Sequence, residues 1–182
     1  MDAEALARWY ADEARDLPWR ATSDPWAILL SEVLLQQTQV ARGIGYWRRI
    51  LDRFPTVASM AEADLDEVMH LWQGAGYYAR GRRLHALAVE VCDPDGPWNS
   101  ALPSPSTSED VVAAFQRLPG IGPYTAAAVA SIAHEVPAAV VDGNVRRVVA
   151  RQTATLQPTA GQVTSLAQAW MDDAHGRNVA PS

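Results

Sequence analysis

The sequence predicts an all-α fold. Three observations carry that expectation. Apolar residues recur at helical spacing through most of the 182 residues, and no segment alternates apolar with polar for long enough to make a convincing strand. The breaks between apolar stretches are short and marked by proline and glycine, which sets neighbouring helices antiparallel.

Each element follows from local signals. Asp24-Pro25 reads as an N-cap followed by proline at the first helical position. From Trp26 to Val40 the chain then runs almost without a polar break except Ser31, Glu32 and the glutamines, so this helix is expected to be buried on most of its circumference. Tyr46 to Phe54 continues helical and stops at Pro55. Thr56 to Ala61 leads into an amphipathic helix over Asp64–Trp72, ended by the Gly74-Ala75-Gly76 turn. Arg80 to Cys92 forms the next helix, with Leu84, Leu87, Ala88 and Val91 at helical spacing. Asp93 to Ser108, rich in proline and serine, reads as a long surface loop closed by a capping box, Ser106-Thr107-Ser108-Glu109. Val111 to Leu118 is helical, Pro119-Gly120-Ile121-Gly122-Pro123 is a tight turn, and Tyr124 to His134 is a small-residue helix suited to close packing. Val140-Val141 enters a turn at Asp142-Gly143, Asn144 to Ala150 starts another helix, and a last one is expected around Gln162 to Asp173.

Composition excludes several chemistries. All fifteen basic residues are arginines, so neither a lysine Schiff base nor a P-loop lysine is available. The single cysteine, Cys92, makes no internal disulfide and no cysteine cluster for zinc or iron–sulfur. The Met1 end opens on Asp2 and Glu4 rather than a basic leader, and no apolar stretch reaches the roughly 18 residues of a membrane span. A cytoplasmic chain with no membrane partner is the expectation.

The net charge of −6 would disfavour a nucleic-acid partner if it were spread evenly. It is not: Arg42, Arg48, Arg49 and Arg53 form one cluster, Arg80, Arg82 and Arg83 a second, and Arg146, Arg147 and Arg151 a third, while acids gather in the first sixteen residues and over 62–67. Charge alone leaves two readings open, solvated helix faces or phosphate-binding patches.

Three local features carry chemistry. In the turn Leu118 to Gly122, two glycines between helices let backbone amides approach a phosphate without a Cβ in the way, at the positive end of the following helix; a plain inter-helix turn is the structural reading. Glu32, inside an apolar run, loses hydration, so its pKa should rise as a general acid requires; otherwise it is a buried glutamate satisfied by a hydrogen bond. Asp142 starts a helix, where the dipole and amides favour its ionised form; otherwise it is a cap or the first residue of an Asp-Gly turn. One carboxyl pushed up and one held down is the pair expected of glycosidic bond cleavage.

Four motifs occur in order: Ser-Glu-Val-Leu-Leu-Gln-Gln-Thr (Ser31 to Thr38), Gly-Tyr-Tyr-Ala-Arg (Gly76 to Arg80), Leu-Pro-Gly-Ile-Gly-Pro-Tyr-Thr (Leu118 to Thr125) and Val-Asp-Gly-Asn-Val-Arg-Arg-Val (Val141 to Val148). With these the chain closely resembles the adenine DNA glycosylase (MutY) family of the helix-hairpin-helix DNA glycosylase superfamily, from Leu17-Pro18-Trp19-Arg20 to about Arg151. The resemblance implies a six-helix barrel domain over 23–137 with the hairpin at about 111–134, and a second lobe formed by 1–22 and 138–182, incomplete here.

It also implies roles. Glu32 would protonate N7 of an adenine flipped out opposite 8-oxoguanine or guanine, and Asp142 would stabilise the oxocarbenium ion or its covalent successor while water completes hydrolysis. Tyr124 falls where a bifunctional lyase of the superfamily would carry its lysine, so a monofunctional enzyme is implied. Asn144 would hold Asp142 and its water, and Trp19 and Arg20 would line the adenine pocket. Gln37, Thr38 and Tyr77 would enter the duplex, Tyr77 as the wedge, with Gln36, Arg80 and Thr125 also among the DNA-binding residues. Leu118, Gly120 and Gly122 would bind phosphate, and a monovalent cation is implied on the carbonyls of Gln116, Leu118 and Ile121.

Two departures accompany the resemblance. The family usually continues into a four-cysteine [4Fe–4S] module and a C-terminal domain that reads 8-oxoguanine; neither motif is in this sequence, so a truncated chain without the cluster is expected, leaving Ala5, Leu6, Trp9 and Tyr10 partly without partners. The expected partner is double-stranded DNA carrying an adenine mispair, bound by a monomer. The alternatives are a mismatch thymine or uracil glycosylase of the same superfamily and a DNA-binding fragment with weak catalysis.

Overall fold

A computed structural model describes residues 3–107 and 110–178, and among these residues it contains ten α-helices, one 3₁₀ turn and no strand. The helices are α1 (Ala3–Glu13), α2 (Pro25–Leu35), α3 (Val40–Arg53), α4 (Val57–Ala61), α5 (Leu65–Trp72), α6 (Ala79–Val91), α7 (Val111–Gln116), α8 (Pro123–His134), α9 (Gly143–Gln152) and α10 (Ala160–Asn178), with the 3₁₀ turn at Pro18–Arg20. The all-α class expected from the sequence is the class observed.

The central element is α2. Its first turn is capped as expected: the Asp24 carboxylate accepts the Trp26 N–H at 3.0 Å, with Pro25 leading the helix. A helix apolar on nearly every face is stable only when covered on every face, and α2 is covered by α3, α6 and α8, with Trp26 through Ser31, Val33 and Leu34 all buried. Two indoles fasten the covering layer. Trp26 Nε1 donates to the Phe54 carbonyl at 2.9 Å, and Trp47 Nε1 to the Ala27 carbonyl at 2.8 Å. The alanines of α8, Ala126 to Ala128 and Ala130, are buried where α8 meets α2, small side chains permitting close approach of the two backbones. One contiguous apolar core extends from Leu17 to Ala130.

Several boundaries differ from expectation for identifiable reasons. The helix expected over 26–40 ends at Leu35; Gln36 turns extended, Gln37 adopts a left-handed φ of 61°, and α3 begins afresh at Val40. The segment read as one lead-in from Thr56 is a separate short helix with its own capping box, Thr56 and Ser59 each bonding the other's backbone. The expected box at Ser106–Glu109 does not cap α7: Ser108 and Glu109 lie outside the described residues, Ser104 and Thr107 close a turn of their own, and the Asp110 carboxylate caps α7 through the Ala113 N–H at 2.9 Å. The last helix starts earlier than expected because Thr159 and Gln162 bond each other's backbone amides across its first turn.

The remaining helices form a smaller group in which α1 packs on α10 and α10 on α9. Gln168 of α10 ties in the incoming strand-like segment, accepting from the Ala139 N–H and donating to the Pro137 carbonyl. Leu6, Trp9 and Tyr10 of α1 remain 46%, 59% and 47% exposed.

Candidate active site

The first turn of α8 brings the two carboxyls into one electrostatic environment. Glu32 sits near the end of α2, where burial raises its pKa above the ordinary carboxylate value while a hydrogen bond with the Tyr124 hydroxyl opposes that rise in part. Tyr124, directly after Pro123 at the head of α8, has its own pKa pushed up to about 12 by burial and by the negative charges of Glu32 and Asp142. A phenol that feels both carboxylates lies between their fields. It therefore stays a neutral hydrogen-bond donor at any working pH.

Asp142 is held in the opposite direction. Burial alone would raise its pKa, but the Val145 N–H, the Asn144 side-chain amide, the Asn144 N–H and the charge of Arg147 together hold it below the usual value. Its Oδ1 accepts from the Asn144 and Val145 amides at 2.8 Å each, and its Oδ2 accepts from Asn144 Nδ2 at 2.6 Å. Arg147 in turn donates to the Asn144 side-chain oxygen. Asp142 is thus both the N-cap of α9 and a carboxylate fixed in its ionised state. Asn144 bonds it through both its backbone N–H and its side-chain amide; Arg147, one turn further along α9, was read only as part of a charge cluster.

Two further segments carry expected duplex-contacting residues. Gln37 and Tyr77 both occupy the left-handed region, with φ of 61° and 49°, although neither is glycine. Such conformations cost free energy and persist only where the surroundings enforce them. Tyr77 is 59% exposed, and Gln36, Gln37, Tyr77, Tyr78, Arg80, Arg82 and Arg83 line one open groove of about 390 Å³. Tyr78 was not singled out from the sequence; its exposed ring next to Tyr77 is the signal that could have found it.

The hairpin joins α7 to α8 through Leu118–Gly122. Gly120 has φ of +78°, and a Cβ there would meet Arg83 Cβ at 3.0 Å, so the turn itself requires glycine. Gly122, the N-cap of α8, has ordinary φ, and a Cβ there would meet nothing within 4 Å. Nothing within the chain demands a glycine at 122; an exposed backbone amide that a ligand can approach is the remaining use for it. The Leu118 carbonyl accepts the Ile121 N–H at 3.2 Å.

Other sequence-expected site residues lie deeper. Arg80 lines the groove but is buried, its guanidinium donating to backbone carbonyls and to Thr38. Thr125 is buried with its hydroxyl accepting from Gln36 Nε2 at 3.3 Å, and the Leu118 side chain is buried in the core. Trp19 packs edge-to-face on Trp47 with centroids 6.0 Å apart. Arg20 is exposed, lies over the Tyr10 ring and donates to the Arg15 carbonyl at 2.8 Å. Half-buried Cys92, the sequence's single cysteine, follows α6. One cysteine cannot furnish the four thiolates of a [4Fe–4S] cluster, so the residues present do not fit that group. Among the described residues no group of three or more His, Cys, Asp or Glu side chains could hold a metal ion, and no helix is long and apolar enough to cross a membrane.

Residues 30–172 match the family model of the HhH-GPD superfamily base excision DNA repair protein. The chain is 44% identical over 182 residues to the adenine DNA glycosylase of Mus musculus, covering 93% of this chain and 34% of that protein. It is 42% identical over 147 residues to the adenine DNA glycosylase of Mycobacterium tuberculosis, covering 80% and 45%. The chain therefore spans between a third and a half of the length of these curated relatives. Among solved structures it superimposes on a thermostable thymine-DNA glycosylase with a TM-score of 0.79 at 26% identity, covering 92% of this chain and 75% of that one. A trapped endonuclease III–DNA covalent intermediate gives 0.72 at 23% identity, covering 94% and 79%, a likeness of fold.

Proposed function

Because this chain belongs to the HhH-GPD superfamily of base excision DNA repair proteins, we propose that it is the catalytic portion of a monofunctional DNA glycosylase that flips out and hydrolyses adenine mispaired with 8-oxoguanine or guanine. The observation that carries this reading is the divergence of two carboxyls around one tyrosine: Glu32 raised by burial, Asp142 lowered by its amide contacts, Tyr124 sensing both.

The chemistry follows from those states. Glu32, protonated, donates its proton to N7 of the extruded adenine, which turns the base into a neutral leaving group as the C1′–N9 bond breaks. Positive charge develops at C1′. Asp142, ionised, faces that charge as an electrostatic partner or closes on it covalently; water then adds at C1′, breaking the C1′–Oδ bond where one formed and giving its proton to the Glu32 carboxylate left by the first step. Asn144 and Arg147 keep Asp142 ionised and aimed. Tyr124 occupies the head of α8 as a neutral donor to Glu32. With no lysine anywhere in the sequence, a lysine Schiff base at C1′ has no candidate, which supports hydrolysis without a lyase step.

Duplex binding is assigned to the exposed amides of the hairpin around Gly120 and Gly122, to the groove that carries Gln37 and Tyr77, and to Thr38 beside Gln37, with Tyr77 as the wedge that fills the space left by the extruded base. A monovalent cation on the carbonyls of Gln116, Leu118 and Ile121 fits the kind of donor present and would add a positive charge beside the phosphate. A monomer acting on double-stranded DNA is sufficient for each of these steps.

Single-turnover release of adenine from an adenine–8-oxoguanine duplex tests the reading. Base release abolished in both Glu32→Gln and Asp142→Asn is the expected result; full activity in either variant refutes the mechanism. A thymine-specific reading draws support from the fold match to the thymine-DNA glycosylase, and release of thymine from a guanine–thymine pair, with adenine retained, would favour it. Salt-dependent duplex binding without release of any base would instead leave a binding fragment.

A further inference from the structure

Arg80 is the one charged side chain buried among the described residues, at 7% exposure. Among the described residues no carboxylate forms an ion pair with it. Its Nη1 donates to the carbonyls of Val33, Leu34 and Gln36, and its Nη2 to Thr38 Oγ1 at 3.1 Å and the carbonyls of Ala75 and Gly76 at 3.5 and 3.2 Å. The rings of Trp72 and Tyr77 lie against its guanidinium at 5.7 and 5.3 Å. A buried cation survives only where hydrogen bonds replace its hydration, and here those acceptors come from three separate places: the C-terminal turn of the helix bearing Glu32, the 36–38 segment, and the 75–76 segment.

The distribution of those bonds matches the strain. Gln37, at φ 61°, is flanked by Gln36 and Thr38, both bonded to Arg80; Tyr77, at φ 49°, follows Gly76, also bonded to Arg80, and lays its own ring on the guanidinium. The two non-glycine residues held in the left-handed region beside the groove are thus pinned by the same side chain. A planar fork with five N–H donors can reach several carbonyls in different directions; a lysine ammonium, a compact point charge with three donors, cannot span them.

We propose that Arg80 is a positioning residue that couples the two duplex-facing segments to each other and to the Glu32 helix, so that insertion of Tyr77 and delivery of the extruded base to Glu32 depend on one buried guanidinium. The functional half rests on the reading of Tyr77 and Glu32 given above; the coupling itself does not.

Amide hydrogen exchange on the free protein tests the coupling without DNA. In Arg80→Lys, which keeps the charge and most of the stem, exchange should rise by about tenfold or more in both 36–38 and 75–78, with α3, α4 and α5 changed by less than about twofold. Thr38→Val, which removes one spoke at the surface and leaves the core intact, should loosen 36–38 alone. Loosening of only one segment in Arg80→Lys, or a uniform rise through α2 to α8, overturns the proposal. On duplex containing 2-aminopurine opposite guanine, Arg80→Lys should lose about tenfold in extrusion fluorescence, with affinity for undamaged duplex within about twofold, and combining it with Tyr77→Ala should add nothing further. Additive losses, or a parallel fall in affinity for undamaged duplex, overturn the functional half. Coupled loosening of both segments together with normal extrusion in Tyr77→Ala supports the coupling and refutes the assignment of Tyr77 as wedge.

Discussion

Two glycines two positions apart in the hairpin should fail in opposite ways when each is replaced by alanine. At Gly120 the backbone has φ of +78°, which an L-residue adopts at a cost of about 1–2 kcal/mol. The new Cβ would also stand 3.0 Å from both Cβ and Cδ of Arg83. The Cδ can swing away, but Arg83 Cβ is fixed to its helix, so the clash adds to the conformational cost. For a domain of this size each 1 kcal/mol lowers Tm by about 2–4 °C, which puts Gly120→Ala roughly 2–8 °C below the parent.

Gly122→Ala meets no atom within 4 Å and keeps an ordinary φ. Alanine is a poorer N-cap than glycine by some tenths of a kcal/mol, and it reduces the entropy of the unfolded chain by a comparable amount. Tm should stay within about 2 °C of the parent. If the amides here hold a phosphate, the added methyl displaces a charge-assisted hydrogen bond worth about 1.5–3 kcal/mol, a loss of about 10–100-fold in affinity. Thermal denaturation beside fluorescence anisotropy on an undamaged duplex at fixed salt separates the two. Wild-type affinity in Gly122→Ala refutes the assignment of the hairpin to phosphate, and a Tm loss equal to that of Gly120→Ala refutes the account of why the two glycines are there.

Three further outcomes follow from the carboxyl pair. Glu32→Gln should reduce base release by about 10²–10⁴-fold and should stabilise the fold at neutral pH. In the parent the raised Glu32 pKa favours folding fully below the unfolded value of 4.5, an advantage lost as pH rises through the folded value. Glutamine has no such loss, so the variant's Tm advantage should grow from about pH 4 to about pH 7; a pH-independent difference contradicts it. Tyr124→Phe removes the hydrogen bond that lowers the Glu32 pKa, so the alkaline limb of the single-turnover pH profile should move to higher pH; a move to lower pH counts against the contact. Asp142→Asn keeps an oxygen able to cap α9 and should hold stability within about 0.5 kcal/mol while activity falls by at least about hundredfold, whereas Asp142→Ala should lose about 1 kcal/mol as well. Equal stability in the two variants would show that the cap contributes nothing.

What the sequence made legible was whatever is determined by residues adjacent in the chain. Burial raises Glu32, a direction its apolar run announces, and Asp142 is lowered by the amides two and three positions on, so both directions were readable in short windows, although the opposing Tyr124 contact from α8 was not. The end of α2 was not. Apolar residues keep helical period past Leu35, and the helix stops where a guanidinium from more than forty residues away takes its last carbonyls. Backbone acceptors leave no mark in a sequence, so Arg80 could be read only as one more arginine in a basic cluster. The cap of α7 was misplaced for a different reason: serine, threonine and aspartate in succession offer several candidate local bonds, and the one that caps α7 is Asp110, four residues after the expected Ser106.

The same physics changes how the arginine clusters bear on DNA binding. Arg42 donates to the Gly74 carbonyl and Arg49 to the Leu71 carbonyl, Tyr46 joins them at the Gln73 carbonyl, and Arg53 pairs with Glu67 at 2.6 Å. Two of the four arginines in the Arg42–Arg53 cluster, Arg42 and Arg49, therefore cap the C-terminal end of α5 and the turn after it, where unpaired carbonyls carry the negative end of the helix dipole. Arg80 serves α2 in the same way, and Arg146 donates to the Pro158 carbonyl. Guanidinium suits this work because several donors in one plane can satisfy several carbonyls at once. Cations committed to carbonyls are less available to phosphates: all three arginines of the second cluster line the groove, but Arg80 is already bonded to backbone carbonyls, which leaves Arg82 and Arg83. A chain with net charge −6 that uses so many of its arginines internally must draw more of its grip on DNA from neutral donors. The exposed amides at Gly122 and the head of α8 are the donors placed to supply it.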